Sequence, residues 1–405
     1  MSASFNTDSS LRVCCNTNHG GHIFRDGKKI FLKDVISGAE VQQTETVKQL
    51  KEKMLGGQRP RFCSSCFDVE AANGISIRQY YVKKYEEVVE RIIDSNDINH
   101  FEKTKFLDFS LSNNCNLKCR MCTPGSSYLL KDDFDSLNLS YDAEYSNNAH
   151  KLWTYEGVIE NLISTESEEI SDILFTGGEP LTNQVHLKIL QGLVAKGRAP
   201  EVSLTYHSNL MVLPEAVVEC WKKFKKVDLH LSLEGHEKYN DYIRHHSKWP
   251  KIIQNLEKLL AVKDEIKLWL EIHTVFQAYN ILIIPEYLSY LKKYDALIPC
   301  FPHFIWLDNP SFLSANSLPQ DLKLAAVRAI ETYLADHLQF YLSSTFSSFN
   351  MEKYQILQGC LKRMDMGIND SAKNEFVNYT LKLDKLRNQN VLEVIPQLKD
   401  VFGNL

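Results

Sequence analysis

Apolar and polar positions alternate along Phe106–Ser112, which predicts a strand. Short apolar runs at Ile173–Thr176 and Val202–Tyr206 predict two more strands. Val227–Leu233 and Leu268–Val275 alternate again, and Phe304–Leu307 is a sixth candidate. Segments of helical period separate most of these, near 185–197, 214–225, 250–263 and 283–294. Strand and helix in turn predict right-handed βαβ units on a parallel sheet. Six units suggest an α/β fold built as a partial (β/α)6, TIM-like barrel rather than a complete eight-stranded one.

The flanks follow other patterns. Residues 1–100 carry turn signals at Gly20-Gly21, Asp26-Gly27 and Gly56-Gly57, a helix from Val47 to Met54, and a longer one from Ile77 to about Asp94. The polar stretch 131–150 is expected to be a surface insertion. From Pro319 the chain is mostly helical, over Pro319–Phe340, 350–366 and 371–388. No internal repeat or low-complexity linker is visible. Three parts are expected: an N-terminal cysteine-rich module over 1–100, the barrel over 101–310 and a helical region over 311–405.

Composition changes the picture mainly through cysteine. With 46 Lys+Arg against 51 Asp+Glu, the net charge of -5 leaves no whole-protein footprint for nucleic acid. No apolar run approaches the ~20 residues of a membrane span, and Met1–Leu11 lacks the apolar core of a secretory signal. A cytoplasmic, reducing location is therefore expected, where grouped cysteines are more often metal ligands or catalytic groups than disulfides. Seven of the ten cysteines fall in three groups: Cys14-Cys15, Cys63-x2-Cys66 and Cys115-x3-Cys119-x2-Cys122.

The third group presents three thiols from one loop after the first barrel strand. Three thiolates suit zinc if a fourth ligand arrives from elsewhere, or a four-iron cluster that keeps one iron open. This spacing, together with Gly177-Gly178-Glu179-Pro180 at the end of the next strand, resembles the radical S-adenosylmethionine (SAM) superfamily over roughly 105–310. The resemblance implies a 4Fe-4S cluster on Cys115, Cys119 and Cys122 whose open iron binds SAM. It implies a 5′-deoxyadenosyl radical that abstracts hydrogen from an unactivated carbon. A reductant such as flavodoxin or ferredoxin would supply the electron. Gly177 and Gly178 would leave bare backbone close to a ligand. Glu179 would accept from the methionine amino group, Ser208, Asn209 and Ser232 would contact SAM, and Arg244 would meet its carboxylate. The residue before the last cysteine, usually aromatic in the superfamily, is Met121.

The first two cysteine groups, followed by Glu70, Gly74, Ser76 and Arg78, resemble the N-terminal twitch or SPASM-like modules of the same superfamily. That implies an auxiliary iron–sulfur cluster on Cys63, Cys66 and one or both of Cys14 and Cys15. A further upstream cysteine common in such modules is absent here. A zinc knuckle or free buried thiols are the alternatives.

Asn309-Pro310, Leu318-Pro319 and Leu383-Asp384-x2-Arg387 extend the resemblance to enzymes that modify ribosomally made precursor peptides. Peptide epimerases of this kind return a hydrogen from a late cysteine thiol, and Cys360 in Gln358-Gly-Cys360 occupies such a place. Cys300 and Cys220 are weaker candidates, and burial as a small hydrophobe is the alternative for each. Carbon–carbon or thioether crosslinking is the competing reaction, with nucleoside or tRNA modification behind it. The histidines form no His-x-His or His-Glu-x-x-His pair. His207 and His230 lie on strands lining the barrel and are read as core residues, with substrate contact as the alternative.

Overall fold

The structure, a computed structural model, describes residues 2–6, 8–14, 16–17, 21–31, 34, 38–71, 76–95, 104–149, 163, 168–364 and 370–403. Cys15 and Gly74 lie outside the described residues. The strands are β1 (Ser2–Phe5), β2 (Leu11–Arg12), β3 (Phe24–Arg25), β4 (Lys28–Lys29), β5 (Phe106–Leu111) and β6 (Lys118–Cys119). They continue with β7 (Asp172–Gly177), β8 (Ser203–Ser208), β9 (Lys226–Ser232), β10 (Arg244–His245), β11 (Leu268–Phe276) and β12 (His303–Trp306). The six strands expected from patterning are β5, β7, β8, β9, β11 and β12. The protein is α/β, with a mostly parallel sheet and helices between its strands.

The chain divides into two compact units. The first comprises 1–114, 143–205 and 216–226. Its strands run in the order β8, β7, β5, β1, β2. β5 is buried at nearly every position, as expected of a strand covered on both faces. β1 was not foreseen, because a four-residue polar-looking segment carries too little periodicity. It pairs in parallel with β5, and Ser4 donates to Asp108 at 2.9 Å, so a buried carboxylate gains a partner. The expected helix from Ile77 is two, Ile77–Lys84 and Glu86–Ser95. They break at Tyr85, whose hydroxyl donates to Asp172 at 2.7 Å while Lys84 pairs with the same carboxylate at 2.6 Å.

The second unit comprises 115–142, 206–215 and 227–405. It holds the end of β8 followed by β9, β11 and β12, all parallel where register is defined. β9 and β11 alternate strictly: one face is fully buried and the other is half open. The open face carries His230 and Ser232 on β9 and Glu271 and His273 on β11. Three C-terminal helices, Gln320–Ser343, Ser347–Arg363 and Asp370–Arg387, belong to this unit. The stretch read as a surface insertion begins instead with a helix, Lys131–Leu137, whose Asp133 and Phe134 are buried. Asp133 goes inside because it accepts two hydrogen bonds from Arg387, at 2.7 and 3.0 Å, and pairs with Lys118.

No helix among the described residues is long and apolar enough to cross a membrane.

Candidate active site

The cysteine loop begins where β5 ends. Cys119 lies in β6, whose antiparallel partner β10 sets Arg244 directly opposite it. The Arg120 amide donates to the Ile243 carbonyl at 2.9 Å, which continues the same attachment. Ser127 closes the loop from the other side by donating to the Leu117 carbonyl at 2.7 Å. Three thiols thus leave a short segment that backbone hydrogen bonds hold in one conformation.

Arg244 is the electrostatic centre of this loop. Its Nη2 pairs with Glu234 at 2.6 Å, and its Nη1 lies 3.8 Å from Cys119 Sγ. Glu234 is itself held by the Val275 amide at 2.8 Å and the Gln277 side chain at 3.3 Å. The hydrogen bond between the two thiols lowers Cys119 and raises Cys122; burial raises both, and Arg244 favours the thiolate of both. A lowered thiol favours the thiolate that a metal needs. Arg244 Nε is buried with no hydrogen-bond partner. An open guanidinium donor beside three thiols fits a metal cluster that carries a carboxylate-bearing ligand.

The other expected SAM contacts are placed as follows. Asn209 donates to Asn116, inside the cysteine loop, at 2.9 Å and accepts from the Met211 amide at 2.9 Å. Ser208 is buried and accepts from the Leu210 amide at 3.0 Å. Ser232 sits on the half-open face of β9, opposite His273. Glu179 is buried, and its carboxylate accepts from the Leu181 amide at 3.2 Å, capping the turn after Gly-Gly.

The glycines of the turn have a packing role in this structure. They admit neighbouring backbone. Gly177 has φ +105, and a Cβ there would stand 2.7 Å from the Leu111 amide nitrogen. A Cβ on Gly178 would stand 2.1 Å from the carbonyl oxygen of Asn114, the residue bonded to Cys115. The Glu179 amide donates to that same carbonyl at 2.8 Å. The motif therefore fixes the root of the cysteine loop. Gly178→Ala should lower stability by about 1–3 kcal/mol, as overpacking does, and reduce iron loading. Thermal unfolding and iron analysis of the purified variant check this; unchanged values for both would refute the packing role.

Sequence reasoning missed the clamp behind the loop. Arg120 is fully buried, with its guanidinium 3.7 Å from the centroid of the Tyr242 ring. It pairs with Asp384 and donates to Gln389 at 2.9 Å. Asp384 also accepts from the Tyr242 hydroxyl at 2.9 Å and the Val391 amide at 2.7 Å. Tyr379 donates to the Arg120 carbonyl at 2.8 Å. A helix more than 250 residues further along the chain thereby grips the middle of the Cys119–Cys122 turn. The only sequence signal was Leu383-Asp384-x2-Arg387.

At the N-terminus, Cys14, Cys63 and Cys66 are brought together. Burial, then the neighbouring Cys14 and Cys66, raise the Cys63 thiol to about 11. Asn16 reaches the sulfurs of both Cys14, at 3.4 Å through its amide, and Cys66, at 3.6 Å through its side chain. Glu70 receives Arg78 at 2.7 and 3.0 Å and also binds Ser76, so the Glu, Ser and Arg of the motif form one network.

The single cysteines separate by environment. Cys300 is buried and donates to Asp295 at 3.3 Å. Cys220 is buried in the short helix Glu215–Trp221. Cys360 is buried in the helix Ser347–Arg363, and burial raises its thiol to about 11.

The Cys-x3-Cys-x2-Cys loop thus follows β5 of an α/β fold with a mostly parallel sheet. Residues 109–275 match the radical SAM superfamily model, so the chain carries a radical SAM domain of that superfamily, which uses a SAM-binding 4Fe-4S cluster. The radical SAM cyclopropyl synthase TigE of Paramaledivibacter caminithermalis is 34% identical over 106 residues, 26% of this chain and 21% of that protein. The GTP 3′,8-cyclase of Clostridium botulinum is 24% identical over 197 residues, 48% of this chain and 55% of the enzyme. The chain thus spans between about a fifth and about half of the length of these curated relatives. Among solved structures, anSMEcpe with bound AdoMet and the Cp18Cys peptide aligns with TM-score 0.37 and 17% identity, covering 61% of each chain. Streptococcus suis SuiB bound to precursor peptide SuiA aligns with TM-score 0.34 and 14% identity, covering 83% of this chain and 70% of SuiB.

Proposed function

We propose that the protein is a cytoplasmic radical SAM enzyme that epimerises residues of a ribosomally made precursor peptide, using Cys360 as the hydrogen donor. The cluster on Cys115, Cys119 and Cys122 supplies, when bound, the electron that cleaves the SAM sulfonium. Arg244 offers its open Nε–H to the SAM carboxylate, and Glu179 accepts from the SAM amino group. Gly177 and Gly178 keep the loop root in place, while Asn209 and Ser208 steady the loop and Ser232 lines the SAM side of β9. With SAM bound, the site would supply a 5′-deoxyadenosyl radical able to take the peptide Cα hydrogen, giving 5′-deoxyadenosine. Cys360 then gives its S–H hydrogen to the opposite face of the Cα radical, leaving a thiyl radical. One electron from an external reductant such as flavodoxin or ferredoxin, with a proton from water, would restore the thiol, and Cys14, Cys63 and Cys66 would hold an auxiliary cluster.

The observation that supports the donor role is that Cys360 is a buried thiol on a C-terminal helix of the same unit as the cysteine loop. A hydrogen-atom donor must be S–H, not thiolate, and burial holds this thiol protonated at neutral pH, at about 11. Cys300, by contrast, is already committed to Asp295. Cys360 also shares a helix face with Lys353, seven residues earlier, which lies 3.9 Å from Glu271 on the open sheet face.

The test is reaction of the reconstituted enzyme with a peptide encoded beside its gene, in deuterated water. Wild type should add one deuterium per modified Cα and yield a D-residue on hydrolysis. Cys360→Ala should still make 5′-deoxyadenosine while deuterium incorporation falls to background. Loss of two hydrogens from the peptide would replace epimerisation with crosslinking, the chemistry closer to a cyclopropyl synthase.

A further inference from the structure

The half-open face of the second unit's sheet gathers four histidines that the superfamily chemistry does not use. His207 lies on β8, His230 on β9, His273 on β11 and His303 on β12. Register explains the grouping. His273 stands opposite His303 on one side and Ser232 on the other, and Glu271 stands opposite His230. Parallel pairing at these positions points His230, Glu271, His273 and His303 to one face, and the His207 ring lies against His230 and His273.

Ligand atoms of His207, His230 and His273 lie within 4.8 Å of one another, and so do those of Glu271, His273 and His303. His207 Nε2 is 3.2 Å from His230 Nδ1. Two imidazole nitrogens sharing a metal at about 2.0–2.1 Å stand at about this separation. Neither ring nitrogen of His273 has a hydrogen-bond partner, and both are buried. Its Nε2 lies 3.5 Å from Glu271 Oε2. Glu271 is oriented through its other oxygen, which accepts from Trp269 Nε1 at 2.8 Å. A carboxylate beside a ligating histidine is the usual device for fixing the ring.

We propose that His207, His230 and His273 bind a divalent transition metal ion of the zinc type, with Glu271 orienting His273. Imidazole donors with a carboxylate behind them favour zinc, iron(II), nickel or copper over magnesium or calcium. Three protein ligands leave a coordination position for an oxygen donor, water or a carbonyl of a bound molecule. The ring arrangement supports the site. His230 and His273 stack at 4.2 Å, and His273 and His303 at 4.8 Å, a packing that suits neutral imidazoles.

The test uses the full-length protein with its iron–sulfur sites reconstituted, equilibrated with zinc sulfate under anaerobic conditions and desalted. Metal analysis should give about one zinc per chain, and the zinc-edge X-ray absorption should show nitrogen at about 2.0–2.1 Å with imidazole scattering. His207→Gln and His273→Gln should each weaken zinc binding by about 10–100-fold or more while iron content stays unchanged. Zinc far below one equivalent in wild type would overturn the proposal. So would sulfur neighbours at about 2.3 Å, which mean a cysteine site. Full zinc retention by both folded variants would overturn it as well. Should either variant fail to fold by circular dichroism, the wild-type edge spectrum decides alone, since it requires three imidazoles on one ion.

Discussion

Replacing Cys115, Cys119 and Cys122 together by alanine is expected to remove about four irons per chain, the content of one 4Fe-4S cluster. The loss should be confined to that cluster, because Cys14, Cys63 and Cys66 form a separate thiol group with its own bracing network through Glu70, Ser76 and Arg78. Iron and sulfide analysis of wild type and variant checks this directly. Wild type should carry more iron than one cluster accounts for, and the variant should keep the remainder. A variant that lost all its iron would show that the N-terminal thiols hold none. A second effect is expected at Arg244. With the three thiols gone, its guanidinium keeps Glu234 at 2.6 Å, so the fold around β6 and β10 should survive the substitution. A near-wild-type circular dichroism spectrum is the expected result.

Asp384→Ala is expected to have the largest effect on stability. It strands the fully buried Arg120, whose remaining partners include the Tyr242 and Tyr279 rings, the Tyr242 carbonyl and Gln389. Breaking one half of a buried ion pair costs about 3–5 kcal/mol, because the remaining charge stays in low dielectric. It also removes the acceptor for the Val391 amide. Thermal unfolding should shift down by several degrees, and iron loading should fall with it, since Arg120 sits between Cys119 and Cys122. Asp384→Asn keeps the hydrogen-bond geometry but not the charge, so it should land between wild type and alanine. Equal melting temperatures for all three proteins would remove the clamp from the account.

The parts legible in the sequence are those encoded locally. A cysteine loop of eight residues and a Gly-Gly-Glu-Pro turn each declare their chemistry within one window. Alternation over seven or eight residues likewise reveals β9 and β11 without tertiary knowledge. The two features that were not legible depend on register and distance. Arg120 and Asp384 lie 264 positions apart, and nothing in the local pattern of either marks a partner. The histidine group is built from single residues on four strands, so no ligand spacing appears along the chain. Only the pairing of Glu271 with His230, and of His273 with Ser232 and His303, brings them into one layer. The glycines were legible as a motif. Their tight approach to Leu111 and Asn114 is a packing fact that only coordinates reveal.

The cysteine loop and Arg244, both in the second unit, are proposed to hold the cluster that cleaves SAM by one-electron reduction. The most direct measurement is the yield of 5′-deoxyadenosine from SAM by anaerobically reconstituted wild-type protein with dithionite, alongside Arg244→Gln and the triple cysteine variant. The account predicts clear product from wild type, a rise in the SAM concentration required by Arg244→Gln, and none above background from the triple variant. Wild-type protein with a full complement of iron and sulfide that leaves SAM intact would contradict it.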